Sequence, residues 1–405
     1  MSDSTFLTRV ELRNYKSIAH CDVKLGPLMF LVGPNGAGKS NFLDALDFIA
    51  YALTNGLGYV IQRRGGINAV KRSGSNSAQP LTIRLWFNLP GGETGTYAIR
   101  ITTTESGNFA ALTEECHRYS DQFAGGEVYY SVDEGRVKTS ETVAPAGSHE
   151  RLYLVAASGL PVFQPIYDAL SRMAFYNFNP AWIKDLQTPD PQEFLAPGGF
   201  NLASVVRKMG EQSPETKRRL LEYLAAIVPD ITDVEVRSFG QYEALEFTQR
   251  FGDDPLRRSF PASSMSDGTL RALAVLVALF QTGRNENSPI PLVGIEEPET
   301  ALHPAAIGAL LDAMSEASES KQVLVTSHSA DLLDSKDITA DMLLAVVAEE
   351  GITKIGPLDR AGLYALREHL YSAGELQRIN QLRPDLSVEA ESEIGDALLP
   401  AGSAV

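Results

Sequence analysis

The segment Gly33-Pro34-Asn35-Gly36-Ala37-Gly38-Lys39-Ser40 has the spacing Gly-x4-Gly-Lys-Ser. Glycines at this spacing let backbone N–H groups turn inward around phosphate oxygens, and a helix starting at the lysine adds its positive end. Asn35, Gly36, Ala37, Gly38, Lys39 and Ser40 are therefore candidate nucleotide-binding residues, with Lys39 reaching the β- and γ-phosphates of ATP and Ser40 holding Mg2+. A second half-site is written in Pro291-Leu292-Val293-Gly294-Ile295-Glu296-Glu297, an apolar run ending in two acids. Such a strand delivers carboxylates to the edge of a phosphate-binding loop. Glu296 is the candidate magnesium ligand, through water, and Glu297 the candidate for polarising an attacking water.

These groups need elements to hold them. Thr8 to Leu12 and Leu28 to Val32 read as strands, and a helix should run from Lys39 to about Leu53, so the opening unit is strand, glycine loop, helix. The hydrophobic period then drops to two, which predicts strands at Leu81 to Phe87, Tyr97 to Thr103, Glu127 to Val132 and Arg151 to Val155. A helix should start at Ser213-Pro214-Glu215, present Leu220, Leu221, Leu224, Ile227 and Val228 on one face, and stop at Pro229. A strand near Ala244 to Gln249 follows. Alternation resumes with helix Leu270 to Gln281, strand Pro291 to Ile295, helix Pro304 to Glu316, and strands Gln322 to Thr326 and Met342 to Val347. The expected fold class is α/β, with a single head over residues 1–385. Its core would be 1–60 and 260–350, with an antiparallel β lobe over 80–160, a helical insert over 161–259, and a flexible acidic tail over 386–405.

The phrase Ile295-Glu296-Glu297-Pro298-Glu299-Thr300-Ala301-Leu302-His303-Pro304 resembles the ABC-type ATPase heads of the RecF, SMC and OLD proteins, and most of all their short prokaryotic AAA-family ATPases. Arg13-Asn14-Tyr15-Lys16-Ser17-Ile18, Phe175 to Pro180, Ser266 to Arg271, Thr326-Ser327-His328-Ser329 and Ser372 to Leu376 continue the likeness in order. The resemblance implies a P-loop head that dimerises around ATP and hydrolyses it with magnesium. It implies that Ser266, Asp267 and Gly268 form a signature motif acting in trans on the γ-phosphate of the opposite subunit. Asp267 departs from the usual Ser-Gly-Gly, and the same three residues would also cap a helix, a reading compatible with the first. His328 matches the switch histidine on the γ-phosphate, His303 stands where relatives carry a dimer-contacting aspartate, and Arg13 and Asn14 fall where the base or phosphates would lie.

Bulk properties narrow the remaining functions. The 405 residues carry a net charge of −16, which argues against coating nucleic acid with the whole surface but leaves room for a local basic groove. Arg63, Arg64, Lys71 and Arg72, around a glycine-rich loop, are either such a phosphate-contacting surface or ordinary solvated charge. Two cysteines, Cys21 and Cys116, allow no disulfide framework or cysteine zinc cluster beyond a single pair and fit a reducing compartment. The polar start lacks a leader's apolar run and the longest apolar stretch, Ala272 to Phe280, is too short to cross a bilayer, so a cytoplasmic protein is expected. No Asp-x-Asp pair follows His328, so the metal-dependent nuclease domain of OLD proteins is not expected. The expectation is an ATP-driven switch in DNA repair, chromosome maintenance or phage defence. The alternative is a sensor scaffold that holds a separate effector protein, with hydrolysis as its reset.

Overall fold

The computed structural model describes residues 5–74, 79–103, 109–123, 125–148, 151–192, 194–250, 257–282 and 289–386. The expected acidic tail lies outside them. Strands run in chain order as β1 (Leu7–Tyr15), β2 (Ile18–Lys24), β3 (Leu28–Val32), β4 (Leu81–Leu89) and β5 (Glu93–Thr103). They continue as β6 (Phe109–Tyr119), β7 (Glu127–Asp133), β8 (Arg136–Thr139), β9 (Ala174–Tyr176), β10 (Ile231–Phe239) and β11 (Tyr242–Arg250). The last are β12 (Arg257–Pro261), β13 (Leu292–Glu296), β14 (Gln322–Ser327), β15 (Leu343–Glu349) and β16 (Ile352–Pro357).

The chain divides into two units, and β3 passes from one to the other. One unit comprises Leu7–Gly26, Leu31–Ser171 and the residues from Ile338 onward. Its sheet has the order β8-β7-β6-β5-β4-β1-β2-β16-β15, with the end of β3 beside β15. From β8 to β2 every pairing is antiparallel, and β4 to β8 follow the first helix as the period-two pattern expects. Helix Lys39–Asn55 belongs here and buries Phe42, Leu43, Leu46, Phe48, Ile49 and Leu53. A large side chain of this kind stabilises by about 1.5–3 kcal/mol when fully buried.

Arg151 to Val155 is not a strand. Residues Tyr153–Ala157 form a helix whose first N–H groups, those of Tyr153 and Leu154, donate to the carboxylate of Glu114 on β6. Tyr97 and Tyr130 hydroxyls bind the same carboxylate. A buried acid at a helix N-terminus satisfies donors that the local period could not reveal.

The other unit contains Pro27–Phe30 and Arg172–Asp337. Here β14, β13 and β9 are parallel, with Glu296 paired to Thr326 in the β13–β14 register. All six residues of β14 and the first four of β13 are buried, which explains their uninterrupted apolar reading. Helices Leu202–Gln212, Pro214–Ile227, Asp267–Phe280 and Ile307–Ser318 pack in this unit, and an antiparallel sheet of β10, β11 and β12 accompanies them. Strand β11 covers the strand expected near Ala244 to Gln249.

Candidate functional site

Each unit carries its own set of the predicted residues. In the first, the loop after β3 is shaped by its own backbone. A Cβ on Gly33 would lie 2.0 Å from the carbonyl oxygen of Val346, so β15 leaves room for glycine alone. Helix Lys39–Asn55 starts from Gly38, at φ 99°, with no side-chain cap and no acid in its first turn. No side chain therefore caps or neutralises the positive end of this helix, the arrangement that suits phosphate oxygens. The Lys39 ammonium is buried and donates to the carbonyls of Gly33 (2.8 Å) and Pro34 (3.0 Å). Asn35, Gly36 and Ser40 are exposed, and Ala37 is buried.

What braces this loop was not legible locally. The Thr353 hydroxyl of β16 donates to Ala37 O at 2.8 Å and lies 2.7 Å from Ser17 Oγ, which also accepts from Asn41 at 2.6 Å. The β1–β2 turn is thereby stitched to the loop. Two non-glycine residues of that turn, Asn14 and Lys16, sit at φ 55° and 46°, backbone strain that the surrounding bonds sustain. Asn14 is fixed by donating its amide to Pro80 O, and Arg13 turns onto Glu11 at 2.6 Å.

The basic loop of the sequence is largely spent on structure. Arg64 reaches Asp44 (3.0 Å) and Asp47 (2.6 Å), while Lys16 and the Tyr15 hydroxyl also converge on Asp44. Burial alone would raise the Asp44 carboxyl, but Arg64, Lys16 and Tyr15 together hold it below its ordinary value. Lys71 is buried, donates to the Thr103 hydroxyl at 3.0 Å, and has its pKa pulled down by that burial. Arg63 lies over the Tyr51 ring at 4.6 Å. Of the four candidate side chains, Arg64 and Lys71 are thus engaged within the fold, and Arg63 is exposed.

In the second unit, β13 ends at the two acids and the chain turns sharply. Glu297 adopts φ 44°, held by its N–H donating to Thr326 O on β14 at 3.0 Å. Its carboxylate lies 3.1 Å from His328 Nδ1, so the predicted water-polarising acid and switch histidine are brought together, both partly exposed. Glu299, absent from the sequence-derived set, is buried beneath them. It accepts the Ser327 hydroxyl at 2.5 Å, and Ser327 Oγ accepts the Ser329 N–H at 3.0 Å, pinning the residues on both sides of His328. Burial pushes the Glu299 carboxyl upward, against the pull of Ser327. Its position two residues after Glu297 was the available signal. Glu296, at the end of β13, is half-buried.

Ser266 caps helix Asp267–Phe280 by accepting the Thr269 N–H at 3.1 Å, so the capping reading holds. Asp267 pairs with Lys184 at 2.6 Å. Gly268 packs so closely that a Cβ would lie 2.2 Å from Ala301 O. His303 is exposed, and its Nδ1 accepts the Ala305 N–H at 3.2 Å. The described residues contain no group of three or more His, Cys, Asp or Glu able to hold a metal ion, and no helix long and apolar enough to cross a membrane.

Comparison with known proteins supplies the context for this geometry. Residues 158–334 match a family described as "AAA domain, putative AbiEii toxin, Type IV TA system", and residues 6–89 match the "AAA ATPase domain". An OLD nuclease of Thermus scotoductus is 44% identical over 43 residues, 11% of this chain and 8% of that protein. The DNA replication and repair protein RecF of Magnetococcus marinus is 36% identical over 89 residues, 22% and 19% of the two chains. Structural maintenance of chromosomes protein 1 of Schizosaccharomyces pombe is 28% identical over 125 residues, covering 10% of it. The chain thus spans less than a fifth of each of these relatives. An SMC head solved with the C-terminal winged-helix domain of ScpA superposes with a TM-score of 0.54 at 16% identity, covering 88% of this chain and 98% of that one. An SMC head with an extended coiled coil, bound to a ScpA domain from Pyrococcus furiosus, gives 0.52 at 14%, covering 90% and 99%. At those identities the likeness establishes the fold, an α/β P-loop head of the ABC type.

Proposed function

We propose that this chain, an ABC-type ATPase of the RecF, SMC and OLD kind, is a switch that closes as a homodimer around ATP and reopens on hydrolysis. The observation that carries the reading is Glu297, set at a strained turn with its carboxylate 3.1 Å from His328 Nδ1, in a chain that also bears a phosphate loop with an uncapped helix N-terminus. The loop Asn35–Ser40 binds the triphosphate through its N–H groups, Lys39 moves from its own loop's carbonyls to phosphate oxygens, and Glu297 orients and deprotonates water while His328 steadies the γ-phosphate. Ser40 and Glu296 offer a hydroxyl and a carboxylate, hard oxygen donors that fit Mg2+ rather than a thiolate-loving metal. When bound, the ion offsets charge on the phosphate oxygens. Ser266 and the first N–H groups of helix Asp267–Phe280 act on the nucleotide of the second copy. Nucleotide that prefers the closed dimer shifts the equilibrium towards it, and hydrolysis resets it.

The work coupled to this cycle is DNA maintenance or control of a separate effector protein. RecF's name supports the first reading. The second is favoured by the match of residues 158–334 to a family whose description includes a type IV toxin–antitoxin system. Steady-state phosphate release and light scattering test the switch. Lys39→Ala should abolish nucleotide binding. Glu297→Gln should bind ATP, turn over at least about 100-fold more slowly, and accumulate as dimer, and Ser266→Arg should dissolve that dimer. Wild-type turnover in Glu297→Gln would remove Glu297 from its role.

A further inference from the structure

Protons are scarce in the brace behind the phosphate loop, and their scarcity gives the brace a direction. A hydroxyl carries one proton. Ala37 O can only accept, so the Thr353 proton is committed to it at 2.8 Å. The 2.7 Å contact between Thr353 Oγ1 and Ser17 Oγ must then be donated by Ser17. With its own proton spent, Ser17 Oγ accepts from the Asn41 side-chain amide at 2.6 Å. The chain therefore runs one way, from Asn41 through Ser17 and Thr353 to Ala37 O, and closes around Gly38 at the start of the helix. Thr353 is a fixed point. It is 1% exposed, its N–H donates to Ser17 O at 2.9 Å, and it stands opposite Ile18 where β16 runs parallel to β2. A Cβ on Gly38 would lie 2.1 Å from Thr353 Oγ1 and 3.0 Å from Ser17 Oγ, so both hydroxyls sit directly against the Ala37–Gly38 backbone.

We infer that Thr353 is a positioning residue for nucleotide phosphate, which it serves by aiming the Gly38 N–H, and that Ser17 acts through Thr353. The inference rests on the nucleotide reading of Asn35–Ser40. A trans peptide is planar, with its C=O and N–H on opposite sides, and none of the described peptide bonds is cis. Anchoring Ala37 O to Thr353 therefore turns the Gly38 N–H away from Thr353. That N–H has no acceptor among the described residues. It is a donor held ready immediately before a helix start that no side chain caps, where oxyanions are favoured. Without the Thr353 hydroxyl, the ligand itself has to order this peptide, and the entropy of doing so is lost from its affinity. Thr353 touches no phosphate in this scheme, so its removal should weaken binding and leave the chemical groups in place.

The test compares Thr353→Val, which keeps the shape and removes the proton, with Thr353→Ser, which keeps the proton. Calorimetry with ATP and Mg2+ on the full chain measures affinity, and hydrogen exchange on the ATP-free chain follows residues 35–41. Thr353→Val should bind ATP about tenfold more weakly, the worth of roughly one hydrogen bond, with KM rising by more than kcat falls. The Ala37 and Asn41 N–H groups, which donate to Pro34 O and Gly38 O, should exchange faster in it. Thr353→Ser should bring both readouts back to within about twofold of wild type. Ser17→Ala should weaken binding by less, and adding it to Thr353→Val should cost nothing further. Wild-type affinity in a folded Thr353→Val, or a Thr353→Ser as weak as Thr353→Val, would overturn the inference. A wild-type chain that binds no ATP would instead remove the nucleotide reading and this role with it, while faster exchange in Thr353→Val would still establish the brace.

Discussion

Replacing Glu299 isolates how the β14 end holds His328. The native carboxyl is buried, with Oε1 receiving the Ser327 hydroxyl and Oε2 without a partner. Glutamine keeps the shape and the acceptor for Ser327, whereas alanine leaves a buried hydroxyl without its acceptor and opens a cavity. The lost hydrogen bond and unsatisfied donor cost about 1–3 kcal/mol, and the void raises the total to about 2–4 kcal/mol. For a unit of this size the melting temperature should fall by roughly 5–10 °C. Turnover should suffer more than affinity, because Ser327 and Ser329 anchor the residues flanking His328. A displacement of about 1 Å at a catalytic group can cost up to about 100-fold in rate.

The same residue gives a pH signature. Burial raises the folded pKa of Glu299 above its ordinary value of 4.5. The native state therefore binds this proton more tightly than the unfolded chain does. The contribution to stability is fully present below about pH 4.5 and is lost as pH rises through the folded pKa. Glu299→Gln carries no such proton, so its stability should fall less steeply than wild type above pH 4.5. Urea melts over a pH series, paired with steady-state ATPase measurements, read both effects. A Gln profile parallel to wild type would refute the upward shift of this carboxyl, and an Ala variant with wild-type kcat would refute the positioning argument.

Gly33→Ala and Gly268→Ala should each be destabilising, since their Cβ atoms would meet backbone oxygens at 2.0 and 2.2 Å. Calorimetry with ATP should show nucleotide affinity lost only in the first, while light scattering should show the Glu297→Gln dimer weakened by the second. Lys184→Ala should weaken that dimer by a few-fold through the charge it leaves on Asp267, and adding Asp267→Gly should restore it. Additive losses in this double-mutant cycle would show that the ion pair plays no part.

The groups legible in the sequence are those whose meaning is local. β3 and the helix from Lys39 fall where the apolar run and glycine spacing place them, and Glu297 and His328 each directly follow a strand, β13 and β14. Strand β6 escaped because Glu114, at an inward position, reads as polar though it is buried and satisfied by two tyrosines and a helix start. The brace on the phosphate loop escaped for a different reason. Thr353 meets Ala37 across 316 positions of sequence, and no spacing rule connects a lone threonine to a loop so remote. Two residues of the basic loop differ from their sequence reading in the opposite direction. Arg64 and Lys71 resemble free surface charge in sequence, but Asp44 and Asp47 stand one helical turn apart on Lys39–Asn55 and claim Arg64.

The departure Ser-Asp-Gly from Ser-Gly-Gly becomes intelligible from where the two positions point. Residue 267 is the first of its helix, where an acid is favoured by the helix dipole. Its side chain is 58% exposed and reaches Lys184 at 2.6 Å, so nothing in the packing asks for glycine there. Residue 268 is buried against Ala301 O, and Ala301 itself is held at φ 67° in the turn that follows Glu297. A side chain at 268 would push on that turn, and the turn carries Glu297 at one end and His303 at the other. The requirement for glycine in Ser266-Asp267-Gly268 thus resides at its third position, where the helix start and the acid-bearing turn touch backbone to backbone. An acid at the second position asks only for a neutralising cation, and Lys184 provides it.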